Sequence, residues 1–463
     1  MKRISPALLL VIALTNRAPA ETWKAGVAQV KITPDTPMWM SGYSSRTSPA
    51  EGTLIDLWAK ALVLEDPAGR RAALVTLDLV GIHRDLSLMV RDALEETYGL
   101  QRSQVAIACS HTHCGPVVGH NLMAMYLLDD AQRGLVEEYS VSLEKKLVGL
   151  VGEAIGKLAP GQIAWGNGQA TFAVNRRDNK EPDVPKLREA GRLVGPVDYD
   201  VPVLAIRDGE GRLTAVVFGY ACHATVMSFM RWSGDYPGFA QLDLEGAHPG
   251  AVALFWAGCG GDQNPLPRSE LMRAKQYGAQ LAEAVERTLA GVMTPLAGEL
   301  ATAYREVDLP FDRLPTRDEL EQRAKSSNPY EVRRATPLLA QLDAGRPLSP
   351  TYPYPVQLWR LGSDLLFVTL GGEVVVDYAL RLKAELGRER TWVAAYTNDV
   401  MAYIPSRRVL AEGGYEGGGA MVYYGLPAIW GPEVEALIVK QVHSHAHAVG
   451  AERSTAHLCK PVP

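Results

Sequence analysis

Residues 85–116, DLSLMVRDALEETYGLQRSQVAIACSHTHCGP, decide how the chain folds. From Asp85 to Leu100 the apolar residues recur at helical spacing. QVAIACS (104–110) is then a short apolar run of strand length, and it stops at two histidines, a cysteine and a Gly-Pro turn. Just upstream, residues 57–82 (LWAKALVLEDPAGRRAALVTLDLVGI) hold two β-rich runs around the turn Asp66-Pro67-Ala68-Gly69, which predicts a hairpin. Hairpin, helix and strand in that order predict an α/β protein of layered type, a sandwich of mixed β-sheets flanked by helices.

The rest of the chain repeats the pattern. AGVAQVKITP (25–34) reads as a strand closed by Pro34, and MSGYSSR (40–46) as a Gly/Ser loop. Residues 134–158 predict a long amphipathic helix. Residues 201–224 predict a second hairpin turned at Asp208–Gly211, and 251–265 a buried strand running into the glycine-rich loop GCGGDQNP. A helix follows over 269–291. LLFVTLGGEVVVDYALRLKAEL (365–386) reads as strand, Gly-Gly break and helix. Residues 391–406 read as strand-like and 431–446 as the last helix. Residues 312–352 are polar, helical in pattern and interrupted by proline, as expected of a surface insertion. No internal repeat or low-complexity linker divides the chain, so residues 21–463 are expected to form a single catalytic domain.

Composition narrows the function. The chain has 463 residues, 47% hydrophobic and 21% charged, with a net charge of −5. That suits a globular protein and makes nucleic acid a poor partner. No interior apolar run reaches the roughly 18 residues a membrane helix needs. Residues 1–20 combine a basic start, the short apolar core PALLLVIALT and the small-residue site Ala18-Pro19-Ala20. They read as a signal peptide, and the mature protein is expected to be secreted or periplasmic. Five cysteines, at 109, 114, 222, 259 and 459, are too few for a disulfide scaffold. Bracing disulfides and buried apolar thiols both stay open for them.

His111 and His113 would share one face if the strand continued through them. Imidazole is a common metal ligand, and two at a strand end begin a zinc site without completing one. His223 stands just past the apolar strand of residues 215–220, and Glu373 directly after LLFVTL. A carboxylate at a buried strand end is expensive unless paired or ligated. Three such residues at the ends of three apolar strands, beside glycine-rich loops, are how open α/β sheets build sites. His83, His120, His248 and the HSHAH run (His443, His445, His447) compete for the same role, the last on what reads as a solvated helix face. The loop Gly258–Pro265 is no nucleotide-binding loop, since no Gly-Lys-Ser/Thr follows. It could serve as an anion nest or as a simple tight turn carrying Asp262 and Asn264.

With these residues in hand, the chain resembles the neutral/alkaline ceramidases, zinc-dependent amidases that cleave N-acylsphingosines. The likeness runs through AGVAQVKITP, MSGY, SHTHCGP, Asn175-Arg176, CHATVMS, GDQNP, GGE and the segment Tyr403–Glu416. It covers the catalytic domain, without the immunoglobulin-like domain of longer members. The resemblance implies zinc held by His111, His223, Glu373 and Tyr403. It gives His113 the role of a neighbour that acts on substrate or water, and has Arg176 and Tyr415 polarise the scissile carbonyl. Asp262 and Asn264 complete the implied catalytic set. Two departures stand out: Asn264 occupies the position of a catalytically important serine, and Pro405-Ser406 replaces a threonine pair. The implied activity is hydrolysis of an amide bond in a ceramide-like lipid or a smaller N-acyl compound by metal-activated water. An ester or acyl-sugar hydrolase, or a metal-containing binding protein without activity, are the alternatives. Expected partners are that substrate and, transiently, a membrane surface.

Overall fold

The hairpin around Asp66 forms between the strands Trp58–Glu65 and Arg71–Leu77 in the computed structural model, which describes residues 22–451. The Asp66 carboxylate closes the turn by accepting the amides of Ala68 and Arg70 at 2.9 and 2.8 Å. Helix α1 (Arg84–Tyr98) crosses back and stops at Gly99, whose left-handed φ of 71° is the usual helix end. The strand Val105–Cys109 then joins Arg71–Leu77 in parallel, and Lys24–Lys31 pairs antiparallel with the far side of Trp58–Glu65.

Two further sheets reuse the plan. In the second, Asp200–Arg207 and Leu213–Tyr220 are antiparallel, and Val252–Ala257 adds in parallel after a helix, Asp235–Ala247. In the third, Ala301–Pro310, Thr351–Leu361 and Leu365–Leu370 are antiparallel, and Thr391–Ala394 adds in parallel after the helix Val376–Leu386. The ends of the added strands are tied to one another. Cys109 N–H donates to Tyr396 O at 3.1 Å, and Ala395 N–H to Ala257 O at 2.9 Å.

Both faces of the inner strands are apolar, because both are covered. Along Trp58–Glu65, Leu62 and Leu64 point to one side, where Trp165, Trp256, Phe367 and Trp392 of the other two sheets meet them. Ala61 and Val63 alternate to the other side. That side belongs to the larger core, which includes Leu143, Leu147 and Val151 of α2 (Asp130–Gly156). The expected α/β organisation of mixed sheets and flanking helices is therefore present, with three sheets sharing one core.

Four details differ from the sequence reading. The strand Val105–Cys109 does not continue through the histidines; His111 turns the chain with φ 60°. Residues 391–406 are not one strand. Tyr396 and Asn398 adopt left-handed φ values of 52° and 66°, and only Tyr403–Ile404 is extended again. Asn398 suits that conformation: its side chain accepts Ile107 N–H at 3.0 Å while its own N–H donates to Ile107 O at 2.7 Å. The helix Asp235–Ala247 escaped the pattern because Pro237 and Gly238 sit inside it. The long strand Ala301–Pro310 did so because it is mostly half-buried, without a clean apolar alternation.

Residues 312–352 form two helices, Arg317–Ala324 and Pro329–Asp343, between the paired strands Ala301–Pro310 and Thr351–Leu361. This hairpin has its own small core of Leu320, Ala335 and Leu338. It is pinned back by Tyr330 OH to Ser44 O at 3.0 Å and Arg334 Nε to Leu426 O at 2.6 Å. Cys109, Cys114, Cys222 and Cys259 are free, buried thiols. The leader reading of residues 1–20 and Cys459 lie outside the described residues.

Candidate metal centre and catalytic site

Five loops that follow core strands are bonded to one another in series by their backbones. His113 N–H donates to Ala224 O at 3.2 Å, His223 N–H to Gln263 O at 2.9 Å, Gly261 N–H to Val374 O at 2.9 Å, and Glu373 N–H to Ala402 O at 2.8 Å. Gly261 is required for this closeness, since a Cβ there would lie 2.6 Å from Glu373 O. The last link is a short parallel pair, Glu373–Val374 with Tyr403–Ile404, in which Glu373 and Tyr403 are register partners.

The side chains converge accordingly. His223 Nε2 lies 3.1 Å from Glu373 Oε2 and 3.1 Å from the Tyr403 hydroxyl, and His111 Nε2 lies 3.2 Å from the same Glu373 oxygen. All four residues are buried. Each of the two imidazoles uses its far nitrogen on a backbone carbonyl: His111 Nδ1 on Val80 O and His223 Nδ1 on Gly260 O, both at 2.6 Å. A carbonyl only accepts, so Nδ1 carries the proton and each Nε2 turns a lone pair inward. Burial pushes His223 down to about 4, so it is neutral at neutral pH. Burial opposes the charge on Glu373, and it takes positive charge beside it, from a proton on His111 and His223 or from a bound cation, to hold its carboxyl well below the usual range.

Inward lone pairs facing a carboxylate oxygen are a donor set for a cation. Tetrahedral zinc with bonds of about 2.1 Å places its ligands about 3.4 Å apart, close to the spacings seen here. Carbonyl-bound Nδ1 atoms are the usual outer support of metal-binding histidines. The residues present thus fit a divalent metal ion.

His113 completes a three-imidazole group with His111 and His223, its Nε2 3.2 Å from that of His111. It differs from the other two, because its Nδ1 is buried without a hydrogen-bond partner. Its ring rests on Gly42 of the MSGY loop, where a Cβ would come within 2.5 Å of it and φ is 98°. Tyr43 packs beside it with ring centroids 4.8 Å apart.

Arg176 lies across the outer side of the centre. Its Nη2 donates to Tyr403 OH at 3.0 Å, its Nη1 to Asn264 Oδ1 at 3.2 Å and its Nε to Glu416 at 2.7 Å. Burial works against the guanidinium charge, and Tyr403 and Glu416 more than offset it. Tyr415 stands at the mouth, 44% exposed, its ring 5.3 Å from that of Tyr403. Asp262 is close by in the chain but faces elsewhere. Its carboxylate accepts Val376 N–H at 2.8 Å and Asn175 Nδ2 at 3.2 Å, which makes it a brace between the loop carrying Arg176 and a helix start.

Two groups escaped the sequence reading. Tyr424 donates its hydroxyl to the second oxygen of Glu373, and Glu416 bridges Arg176 and Arg177. Nothing in the stretch MVYYG marks the first. An acidic residue beside Tyr415 was a weak signal for the second. The competing histidines go to other tasks: His248 pairs with Glu286, His443 with Glu385, and His445 is buried against Val356 O.

Fold and site together define a mixed α/β protein with a buried His–Glu–Tyr centre fitted to a metal ion. The family model for neutral/alkaline non-lysosomal ceramidase, N-terminal, matches residues 23–276. The chain belongs to this family. It is 29% identical over 336 residues to the neutral ceramidase of Pseudomonas aeruginosa, covering 67% of this chain and 48% of that one. To the neutral ceramidase of Drosophila pseudoobscura it is 29% identical over 250 residues, covering 52% and 34%. The chain thus spans about half the length, or less, of these relatives. The crystal structure of the P. aeruginosa neutral ceramidase superposes with a TM-score of 0.72 at 22% identity, over 96% of this chain and 76% of that one, which shows a shared fold. The matched stretch holds His111, His113, Arg176, His223 and Asn264; Glu373, Tyr403 and Tyr415 lie beyond it.

Proposed function

We propose that the protein is an exported, zinc-dependent amidase that cleaves the amide bond of an N-acyl substrate with metal-activated water. The observation that carries this reading is the convergence of His111, His223, Glu373 and Tyr403 on one point, with Arg176 and Tyr415 at its open side. Zinc held there would act as a Lewis acid and bring the pKa of a water molecule to near 7.

The chain's own groups do the rest. Arg176, fixed by Glu416 and Asn264, and Tyr415 at the mouth are placed to hold the carbonyl oxygen as charge develops on it. His113 faces the centre through Nε2 and is the residue to move a proton between water and leaving amine. Asn264 cannot be a nucleophile. Its oxygen accepts from Arg176, and its amide group remains to orient substrate or water. Asp262 acts by positioning, through the loop of Arg176.

The cavity on the outer side of Arg176 bears on the substrate. A cavity of about 570 Å³ opens beside Arg176, Asn264 and Tyr415, and Arg177, Lys180, Arg268 and Glu412 also line it. So charged a wall suits a small polar N-acyl compound better than a lipid with two alkyl chains. Among the described residues no helix is long and apolar enough to cross a membrane.

The test is elemental analysis for metal, followed by turnover of a panel running from ceramides to short polar N-acyl amines and matched esters, with and without chelator. Chelator-sensitive amide cleavage that is lost in His111→Ala is expected. Bound zinc without turnover of any amide or ester would overturn the enzyme reading in favour of a binding protein, and ester-only cleavage would replace amidase by esterase.

A further inference from the structure

A second group of metal-ligand side chains stands apart from the centre just described. His83, Asp85 and His120 offer ligand atoms that all lie within 4.8 Å of one another. Asp85 Oδ2 is 3.5 Å from His83 Nδ1 and 3.6 Å from His120 Nδ1, and the two imidazole rings meet edge to face at 5.8 Å. For metal bonds of about 2.1 Å, neighbouring ligands of a tetrahedral ion are about 3.4 Å apart. The separations already match that edge.

The backbone holding these residues is anchored on both sides. Val400 N–H donates to Ile82 O at 2.9 Å, next to His83, and Val400 O accepts Asn121 Nδ2 at 2.7 Å, next to His120. One residue thus ties the two ligand-bearing loops together. Gly119, on the other side of His120, donates its N–H to Ser140 Oγ of α2 at 2.8 Å. His83 is the N-cap of α1, its Nδ1 accepting Asp85 N–H at 3.4 Å, a long bond that metal ligation would replace, and the Asp85 charge offsets the positive helix end. The three side chains open into a cavity of about 400 Å³ that is also lined by Glu137 and Glu144 of α2. The rest of the wall is mostly apolar apart from Arg133, so the net acidic lining favours a cation.

We propose that His83, Asp85 and His120 form a second metal site, taking a divalent transition metal ion of the zinc class in a two-histidine, one-carboxylate arrangement. Nitrogen-rich ligation with a single carboxylate favours such ions over magnesium or calcium, which prefer all-oxygen surroundings. An ion there would clip the start of α1 to the loop running on from His111 and His113.

The test is calorimetric titration of the chelator-stripped full-length protein with Zn²⁺ alone, with stoichiometry as the readout. His120→Ala, a change at an exposed ring, should take up one equivalent fewer than wild type. Glu373→Gln should lose the other equivalent, and the combined variant both. Asp85→Asn keeps the shape of the site and should weaken the affected equivalent at least about tenfold. Unchanged stoichiometry in His120→Ala, or unchanged affinity in Asp85→Asn, overturns the proposal. Neither result depends on turnover, so failure of the amidase reading would leave the outcome standing.

Discussion

Replacing Glu373 by glutamine tests the electrostatics of the centre more sharply than removing a histidine does. Glu373 Oε2 lies 3.1 and 3.2 Å from two imidazole Nε2 atoms, and with each ring's proton on its carbonyl-bound Nδ1 both turn lone pairs toward it in the metal-free protein. Glutamine keeps the acceptor that Tyr424 uses and turns an NH₂ toward the two nitrogens. Two neutral hydrogen bonds at about 1 kcal/mol each are worth about 2 kcal/mol. Unfolding entropy of about 2.1 cal/mol/K per residue over 463 residues makes about 1 kcal/mol equal to about 1 °C in Tm. Metal-free Glu373→Gln should therefore melt about 2 °C above wild type. Zinc at a thousand times its Kd stabilises by about 4 kcal/mol, so wild type should gain about 4 °C. With His120→Ala added to both proteins to remove the second site, the variant should gain little, and the order of the two proteins reverses on adding metal. Differential scanning calorimetry at pH 8, with chelator and with zinc, reads all four values. A metal-free variant that melts below wild type would refute the reasoning, because Glu373 would then be paired with a proton-bearing histidine. Equal zinc shifts in both proteins would remove Glu373 from the ligand set.

Three further outcomes follow from other parts of the structure. Gly42→Ala puts a Cβ 2.5 Å from the His113 ring. Displacing that ring should lower kcat/KM on the order of a hundredfold with metal content unchanged, whereas metal lost in parallel would place His113 on the ion. Lys383 is buried between Asp198 at 2.6 Å and Asp200 at 2.9 Å, so Lys383→Ala strands two carboxylates. It should cost about 3–5 kcal/mol in urea unfolding, and a loss below about 1 kcal/mol would mean that water already solvates the pair. Burial raises Asp399 to about 7. Its contribution to stability is full below the unfolded value near 4 and is lost as pH rises through 7. Asp399→Asn should accordingly gain on wild type by a few kcal/mol between pH 4 and 7.5, and a gap that stays flat would exclude the shift.

What the sequence revealed depended on how local each signal was. The Asp66 hairpin, α1 and the strand Val105–Cys109 are written in short-range periods and turn residues, and they form within a few residues of expectation. His223 and Glu373 stood out because each follows an apolar strand directly, which is also why they reach the centre. His111 was picked out on the assumption of a continuing strand, yet it arrives by a left-handed turn. Tyr403 and Tyr415 carry no local mark and came from resemblance alone. Tyr424 and Glu416 stayed hidden because their meaning lies in partners 51 and 240 residues away. The glycine-rich loop left Asp262 open between anion nest and tight turn, and the resemblance placed it in the catalytic set; its carboxylate bonds a helix start and Asn175.

The pairing of Glu373 with Tyr403 also sets when the centre can exist. His223 meets Glu373 across 150 residues and Tyr403 across 180. Contacts so distant in sequence close late in folding, after the entropy of large loops has been overcome. A growing chain that has emitted both imidazole loops still lacks the carboxylate and the phenol, because the third sheet is unmade. On the proposed metal-bound reading, metal capture would report the last docking step, and the ion would come from whatever pool surrounds the protein as that step completes. For an exported chain that pool lies beyond the membrane, so metal supply there would limit how much of the folded protein becomes loaded.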